Sequence, residues 1–247
     1  MRTLVLHRLA LAVELRDAAT GSPATGSTAT GGPRTVLDPH GDGRFVLRRT
    51  GRLGAVVRLT VGSSAGDRAP RPVRAAADLD GSGSVWVPRR LRTTLAPAGP
   101  PRRLMLSLFP GPGYPIGGGT TAARLRVVRG ATAVPWPRAT VFGPQAVGLT
   151  WAHGDRNGEM LVILPRPAQL DAQADTFPIV IRLHVPAAAS REPPEETVVS
   201  PPMGPQPPAP DDVAHGRTVP ASYVTVPNDT VLTIRIGEVA TADITVP

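Results

Sequence analysis

A chain of 247 residues has room for one large all-β domain or for two small domains with linkers. Its hydrophobic fraction of 41% is enough for a core, while 30 prolines and 26 glycines favour short strands separated by turns. The net charge of +8 rests on arginine alone, since the sequence contains no lysine, and the absence of cysteine excludes disulfides, thiolate metal sites and a cysteine nucleophile.

The first predicted element is a strand at residues 9–15, where leucine and valine occupy every second position. Charged residues, Arg8 and Glu14 among them, interrupt the apolar N-terminal stretch. No apolar run in the chain approaches the length of a membrane span. We therefore expect neither a signal peptide nor a membrane insertion, and we expect a cytoplasmic location.

Further strands are predicted wherever short apolar runs are bounded by Gly, Pro, Asn and Asp. Helical periodicity is nearly absent, so we predict an all-β fold of sandwich or small-barrel type. These strands are predicted at 45–47, 56–61, 73–78, 84–87, 104–109, 123–128, 139–142, 147–151, 160–164, 177–185, 222–226, 231–237 and 242–246.

Two proline-rich stretches divide these strands into groups. Residues 96–103 indicate a domain boundary, and residues 187–216, with three Pro-Pro pairs, indicate an extended linker. We predict an arginine-rich β-sandwich at 1–100, a second β-sandwich at 104–186, the linker, and a C-terminal strand unit at 217–247. A unit of two or three strands is not stable by itself, so this unit must pack on its own subunit or on a neighbouring one.

The two halves share a layout of strand, Pro-containing loop, strand and Gly-containing hairpin, over residues 11–61 and 123–164. The second half has Val134-Pro135, then Ala139-Thr-Val141, then a hairpin with Asp155 and Gly158. This layout resembles the carboxypeptidase-regulatory-like or transthyretin-like β-sandwich. The resemblance implies two small Ig-like or transthyretin-like sandwiches, and it implies a fold rather than a function.

A narrower resemblance concerns the run Tyr114-Pro115-Ile-Gly-Gly-Gly-Thr-Thr that leads into the second sandwich. It is similar to proteins encoded with phage-tail-like contractile injection systems of high-GC bacteria, which also combine small β-sandwiches with proline-rich connectors. The similarity implies a structural role, as a baseplate or cap component, with other protein subunits of a large assembly as partners.

The sharpest chemical motif is the run from Asp78 to Gly83. Asp78, Asp80 and Ser82 occupy the first three ligand positions of a calcium loop and Gly83 its glycine, but Arg89 stands where the loop needs a bidentate glutamate. A glycine-rich hairpin turn explains the same residues. Calcium is therefore the less favoured interpretation, and we predict no metal and no cofactor.

A catalytic centre is not predicted. The run from His153 to Glu159 groups a histidine, two acids and an asparagine, but Asn157-Gly158 is typical of a tight hairpin. No nucleophile elbow is present, and the lack of lysine excludes a phosphate loop and Schiff-base chemistry. The scarcity of aromatic residues argues against nucleic acid. We therefore predict a protein that is not an enzyme and does not bind nucleic acid.

The predicted function is that of a non-enzymatic assembly protein that binds neighbouring subunits through its sandwich surfaces and terminal strands. The candidate interface residues are Trp136, flanked by two prolines, and the alternating Val231, Thr233 and Arg235. Residues 1–103 carry 17 arginines and 7 acids, which favours an acidic docking partner for that half. The alternatives are a ligand- or carbohydrate-binding β-sandwich module and an enzyme of unknown type.

Overall fold

The fold is seen in a computed structural model, which describes residues 8–31, 37–49, 56–63, 84–95, 100–165, 174–204 and 211–247. Over these residues the chain is all-β, which confirms the predicted fold class, and the helical structure there is a single 3-10 turn at Pro144–Ala146. None of their helical structure is long and apolar enough to cross a membrane. The calcium candidates Asp78, Asp80 and Ser82 lie outside the described residues, as does the strand predicted at 73–78.

The described residues form seventeen strands. The strands are β1 (Arg8–Asp17), β2 (Ser27–Gly31), β3 (Leu37–Pro39), β4 (Arg44–Arg49), β5 (Val56–Ser63), β6 (Arg89–Thr94), β7 (Arg102–Leu108), β8 (Ala122–Arg129), β9 (Thr132–Ala133), β10 (Arg138–Phe142), β11 (Gly148–His153), β12 (Glu159–Ile163), β13 (Thr176–Pro186), β14 (Glu195–Thr197), β15 (Tyr223–Thr225), β16 (Thr230–Arg235) and β17 (Val239–Thr245).

The chain forms two compact units, each assembled from three separate segments. Unit 1 contains Met1–Ser64, Pro88–Leu108 and Glu195–Thr218; unit 2 contains Ala65–Val87, Phe109–Pro194 and Val219–Pro247. The chain therefore passes from one unit to the other five times. The proline-rich residues 187–216, predicted as a linker, contribute to both units, because residues 187–194 belong to unit 2 and residues 195–216, which include β14, belong to unit 1.

Unit 1 contains two four-stranded sheets. The order of the first is β3-β4-β1-β7, in which β1 is antiparallel to β4 and parallel to β7. The order of the second is β14-β6-β5-β2, in which β14 is parallel to β6 and the other pairs are antiparallel. In β5, β6 and β14 buried and exposed residues alternate, so this second sheet has one face turned to the core and one turned to solvent.

The core side of unit 1 contains a buried ion pair. The side chains of Arg89 on β6 and Glu196 on β14 are 1% and 2% exposed, and two guanidinium nitrogens reach the two carboxylate oxygens at 3.2 and 3.3 Å. Arg89 also donates to the backbone carbonyls of Ser107, Val213 and Ala214. Because an interior charge is tolerated only when it is paired and hydrogen-bonded, these bonds allow an arginine side chain to point inward.

Unit 2 is a β-sandwich. In its first sheet the order is β11-β10-β13. The other edge of β13 pairs with two strands, β16 along residues 176–181 and β15 along residues 184–186. In its second sheet β8 lies between β12 and a parallel β17, with the short β9 also paired to β8. One apolar core receives residues from both sheets, including Leu125 and Ile244 from one and Ile181 and Ile234 from the other. The C-terminal strands therefore pack on their own chain here.

Candidate functional site

The first sheet of unit 2 has a polar and aromatic side that is turned away from the core, which we call the outer face. In β10, Ala139 and Val141 point into the core, so Arg138, Thr140 and Phe142 point outward. Strand register places their partners on the same side. The outer face comprises Arg138, Thr140, Phe142, Trp151, His153, Pro178, Val180, Arg182, His184, Tyr223, Thr225, Val231 and Thr233.

A buried histidine lies at the middle of the outer face. The Nε2 atom of His184 is 3.1 Å from the Thr140 hydroxyl, and its Nδ1 atom is 3.0 Å from the Thr225 hydroxyl. The ring of Trp151 stacks on the imidazole with a centroid distance of 6.0 Å. Burial, and then the positive charge of Arg182, lowers the pKa of His184 below its usual 6.5. The imidazole is therefore neutral at neutral pH, with one nitrogen donating and the other accepting.

Trp136, predicted as an interface candidate, is only 6% exposed. Its indole Nε1 donates to the Ser190 carbonyl, its backbone N–H donates to the Asp155 carbonyl, and its own carbonyl accepts from the Tyr223 hydroxyl at 2.7 Å. The φ of 58° places Trp136 in the left-handed region, which is unfavourable for a bulky residue. These hydrogen bonds hold it there and fix the indole inside unit 2.

A groove of about 330 Å³ opens on the outer face at the end of β10. Its walls are mostly apolar and come from the 3-10 turn after β10 and from the outward residues of β13. The groove is lined by Phe142, Gly143, Pro144, Gln145, Ala146, Pro178, Val180, Arg182 and Asp229.

One wall of the groove has a strained backbone. Gln145 and Ala146 both have positive φ, of 62° and 58°, although neither is a glycine. Residues in such conformations cost free energy and are concentrated at binding and switch regions. The turn therefore has a shape that local propensity does not favour, and that shape forms the groove.

The charged rim of the groove is neutral as a whole. Arg182 makes two hydrogen bonds to the carboxylate of Asp229, at 3.1 and 2.9 Å, and these bonds raise the pKa of Arg182. The same guanidinium lies over the ring of Phe142, 5.1 Å from its centroid. One face of the Phe142 ring is therefore covered, and the two ionised groups at the rim neutralise each other.

Strand β16 brings the remaining interface candidates to this region. Val231 lies opposite Val180 and Thr233 lies opposite Pro178, so both are next to the groove on the same face. Val231 is 63% exposed. Arg235, at the end of the strand, is exposed and lies 3.4 Å from the carboxylate of Glu238. The structure thus brings Val231 and Thr233 together with the groove, and it holds Trp136 elsewhere in unit 2.

The run from His153 to Glu159 forms a tight turn between β11 and β12. A carboxylate oxygen of Asp155 accepts from the backbone N–H groups of Asn157 and Glu159, at 2.8 and 3.0 Å. Gly158 has a φ of 72°, and a Cβ there would lie 2.5 Å from the carbonyl oxygen of Val127. The turn interpretation therefore accounts for this glycine, whereas Asn157 does not have the positive φ that the Asn-Gly pattern predicts.

A second polar cluster lies in unit 1 and has no sequence motif. The Ser107 hydroxyl is 3.0 Å from Nδ1 of His215, although 108 positions separate the two residues. Burial, and then Arg217, lowers the pKa of His215. Asp211 does not complete a catalytic triad, because one of its carboxylate oxygens accepts from the Val213 backbone and the other has no hydrogen-bond partner. Within the described residues, no group of three or more His, Asp or Glu side chains is placed to hold a metal.

The comparisons with known proteins identify no family. No protein-family model matches the chain, and no curated protein matches it. Among solved structures, the Bacillus anthracis TIE protein is 11% identical with a TM-score of 0.26, covering 96% of this chain and 34% of its own. A leucine-rich repeat protein from Bacteroides thetaiotaomicron is 9% identical with a TM-score of 0.25, covering 97% and 26%. The chain thus spans about a third and about a quarter of their lengths.

Proposed function

We propose that this chain is a non-enzymatic assembly protein, and that the groove on the outer face of unit 2 seats an extended apolar segment of a neighbouring subunit. The observation that carries the proposal is that the groove continues into an exposed valine on the adjacent strand. Val180 lines the groove, and Val231 lies directly opposite it and is largely exposed. Together they give a continuous apolar strip on a sheet face, which is typical of a protein docking site.

The chemistry of the rim indicates what kind of segment fits. Arg182 and Asp229 neutralise each other, so the groove offers no unbalanced charge to a charged ligand. The prolines and the valine of the lining offer apolar contact without hydrogen-bond donors. An extended peptide with small apolar side chains at alternate positions matches such a surface.

A carbohydrate is the poorer occupant, because sugars stack on open aromatic rings. Near the groove, the Phe142 ring is covered on one side by Arg182, and the Trp151 ring stacks on His184. A small apolar ligand remains the alternative, since the groove volume falls at the lower end of the range of small-molecule sites. The assignment to a phage-tail-like contractile injection particle, as a baseplate or cap component, rests on the sequence resemblance.

The test is sedimentation of a native cell extract, with immunodetection of this 25.8 kDa chain across the gradient. We expect the wild-type protein to travel with a megadalton particle. Val231→Asp, which places a charge beside the groove, should shift the protein towards slow fractions. The matched control is Val239→Asp on β17, which changes an exposed valine of the other sheet.

Each outcome has a distinct meaning. Wild-type protein that stays near its monomer mass contradicts the assembly proposal and favours a ligand-binding module. Wild-type and Val231→Asp proteins that travel together would support an assembly role but contradict the groove as its docking site. Thermal melts of the purified variants, which should match the wild type, show that an altered distribution does not come from unfolding.

A further inference from the structure

Strand β16 forms an open edge of the first sheet of unit 2. In the part of the chain that the structure describes, β16 pairs with β13 alone, and no strand hydrogen-bonds to its other side. Just past the strand, the Ile236 N–H donates to the Asp175 carbonyl. Because the backbone groups of successive residues alternate between the two sides of a strand, those of Val231, Thr233 and Arg235 point towards the open edge.

The residues at this edge are accessible. Val231, Thr233 and Arg235 are all exposed. The backbone groups of Val231 and Thr233 make no hydrogen bond with any described residue, while the Arg235 carbonyl accepts from the Glu238 N–H at 3.3 Å. A row of unpaired N–H and C=O groups on an exposed strand is a template for pairing with a further strand.

Proteins commonly protect their sheet edges against such pairing, and other edge strands of this chain have protective features. Strand β3 is three residues long and ends in Pro39, and β11 has a register shift opposite Phe142. Strand β17 carries the charged Asp243 among its outward residues. By contrast, β16 contains neither a proline nor a register shift, and its charged residue, Arg235, stands at its end.

The sequence of β16 is self-complementary when two copies run antiparallel about a twofold axis at Thr233. Thr233 then lies opposite Thr233 of the second copy, and Val231 lies opposite Arg235 of the second copy. Threonine pairs are favourable across strands, and the aliphatic part of an arginine side chain can cover a valine. The two arginines stay apart, so no like charges face each other.

The inward side of the strand also favours this pairing. Leu232 and Ile236 pack against the apolar core of unit 2 but are only partly buried. In the twofold register Leu232 lies opposite Ile234 of the second copy, at a position without hydrogen bonds, where side chains approach most closely. The pairing therefore covers apolar surface that a single chain leaves partly open to water.

We propose that the open edge of β16 pairs with β16 of a second copy of this chain, which joins two five-stranded sheets into one continuous sheet. Because both copies use the same edge, the contact is closed and gives a dimer rather than a fibre. The inference rests on the proposed assembly role, for which it names a partner, but it does not depend on the groove.

The test measures the mass of the purified full chain by sedimentation velocity over a range of protein concentrations. We expect the mass to rise with concentration from 25.8 kDa to twice that value. Thr233→Pro removes an N–H that β13 does not use and places the proline ring at the open edge, so it should weaken dimerisation at least about tenfold. The matched control Asp243→Pro changes an N–H of β17 that points away from β8, and it should stay within about twofold of the wild type.

A charge swap at the twofold axis tests the register. Thr233→Glu and Thr233→Arg each place like charges directly opposite each other in the dimer, so each variant alone should dimerise less than the wild type. An equimolar mixture of the two variants places opposite charges face to face and should recover the dimer. Because Thr233 points outward, both variants should melt at the wild-type temperature, which shows that they fold.

Val231→Asp separates this inference from the groove proposal. The new charge disrupts the apolar strip beside the groove, but in the dimer it faces Arg235 of the second copy, so dimerisation should be retained or strengthened. Loss of the dimer in Val231→Asp would contradict the twofold register.

Three further results would overturn the inference. A chain that stays monomeric at every concentration would exclude self-pairing while leaving the groove proposal intact. Equal losses in Thr233→Pro and Asp243→Pro would place the dimer contact away from β16. A mixture of the two charged variants that is no more dimeric than either variant alone would show that Thr233 does not meet its own copy.

Discussion

Over the described residues, unit 1 and unit 2 are each built from two sheets with buried apolar residues, but they differ in where their buried polar side chains lie. In unit 2 an apolar cluster lies between the sheets, the buried Arg138, His153 and His184 lie on the outer face of one sheet, and the buried Asp155 lies in the turn after β11. In unit 1 polar side chains on the core side pair with each other across long stretches of chain. Arg89 pairs with Glu196, and Thr93 hydrogen-bonds Ser200, each over 107 positions.

This difference shows two ways of bringing distant segments together. Apolar strands can pair with many partners, so unit 2 relies on the match of whole faces. A buried ion pair tolerates very few arrangements, because any wrong pairing leaves an interior charge without a partner. We infer that Arg89 and Glu196 specify which segment joins unit 1, at β6 and β14.

The largest effect should come from breaking that pair. Glu196→Ala leaves the Arg89 charge buried without its carboxylate, and we expect unit 1 to lose about 3–5 kcal/mol of unfolding free energy. The matched control is the neighbouring Glu195→Ala, which breaks the exposed pair with Arg58 and should cost less than about 1 kcal/mol. Hydrogen exchange of the β6 amides reports on unit 1. Equal costs for the two glutamates would contradict the role of the buried pair.

The corresponding change in unit 2 is Ile181→Ala on β13. Ile181 is fully buried in the apolar core, so its truncation should cost about 2–5 kcal/mol, measured by hydrogen exchange of the β13 amides. Val231→Ala, on the paired strand but exposed, should change stability by no more than about 0.5 kcal/mol. A large loss for Val231→Ala in the free protein would mean that this valine is part of the core rather than of a docking strip.

A smaller loss of stability is expected when a polar contact outside the core of unit 2 is removed. Tyr223→Phe removes the hydroxyl that donates to the Trp136 carbonyl in a buried position. We expect a loss of about 1–3 kcal/mol, since the carbonyl is left without that donor. The indole environment of Trp136 should also change, which near-ultraviolet circular dichroism would detect. An unchanged stability would show that the left-handed backbone of Trp136 does not depend on this bond.

The smallest effect is the response to mild acid, in which the two units should behave alike. His184 in unit 2 and His215 in unit 1 both have lowered pKa values, so their neutral forms are favoured in the folded state. Unfolded histidines take up protons near pH 6.5, whereas the folded ones require a lower pH. Stability should therefore be greatest above pH 6.5 and should fall as the pH drops towards the lowered folded values.

The check is denaturant unfolding at pH 7.5 and at pH 5.5, for the wild type and for H184Q/H215Q. Glutamine can still donate and accept hydrogen bonds at both sites, so the double variant should show a smaller difference between the two pH values. Burial acts to raise the pKa of Glu14, but hydrogen bonds from Arg103 and Arg16 outweigh it, so the pKa is lowered from its usual 4.5. Glu14 therefore affects stability only below the pH interval of this experiment. The same pH response in the wild type and in H184Q/H215Q would contradict the assignment of this pH dependence to His184 and His215.

The difference between strands with apolar and with polar inward residues explains which strands could be predicted from the sequence. The all-β class and the long strands of unit 2 follow from apolar alternation, as in β8, β13 and β16. Strands β6 and β14 were not predicted, because Arg-Arg-Leu-Arg-Thr-Thr and Glu-Glu-Thr have no apolar pattern. Only Leu91 among their inward residues is apolar, while Arg89, Thr93 and Glu196 are charged or polar and become suitable for a core only when both segments meet.

For the candidate sites, too, strand alternation predicts some residues, and only the fold brings the others together. Val231 and Thr233 were predicted from strand alternation, and the structure places them on an exposed face. The groove beside them could not be predicted, because its wall depends on Gln145 and Ala146, whose left-handed backbone no sequence preference indicates. The Ser107–His215 contact likewise depends on segments that only the fold brings together.

The interleaved course of the chain also sets an order on biosynthesis. During translation, β6 leaves the ribosome about a hundred residues before β14, so Arg89 and one edge of that sheet must wait for Glu196. Unit 2 waits longer, because β8 pairs with β17 at the far end of the sequence. Neither unit can be completed as a single emerging segment, and unpaired strand edges persist while the chain is made. A nascent chain of this design has a particular need for protection from aggregation until β17 has left the ribosome.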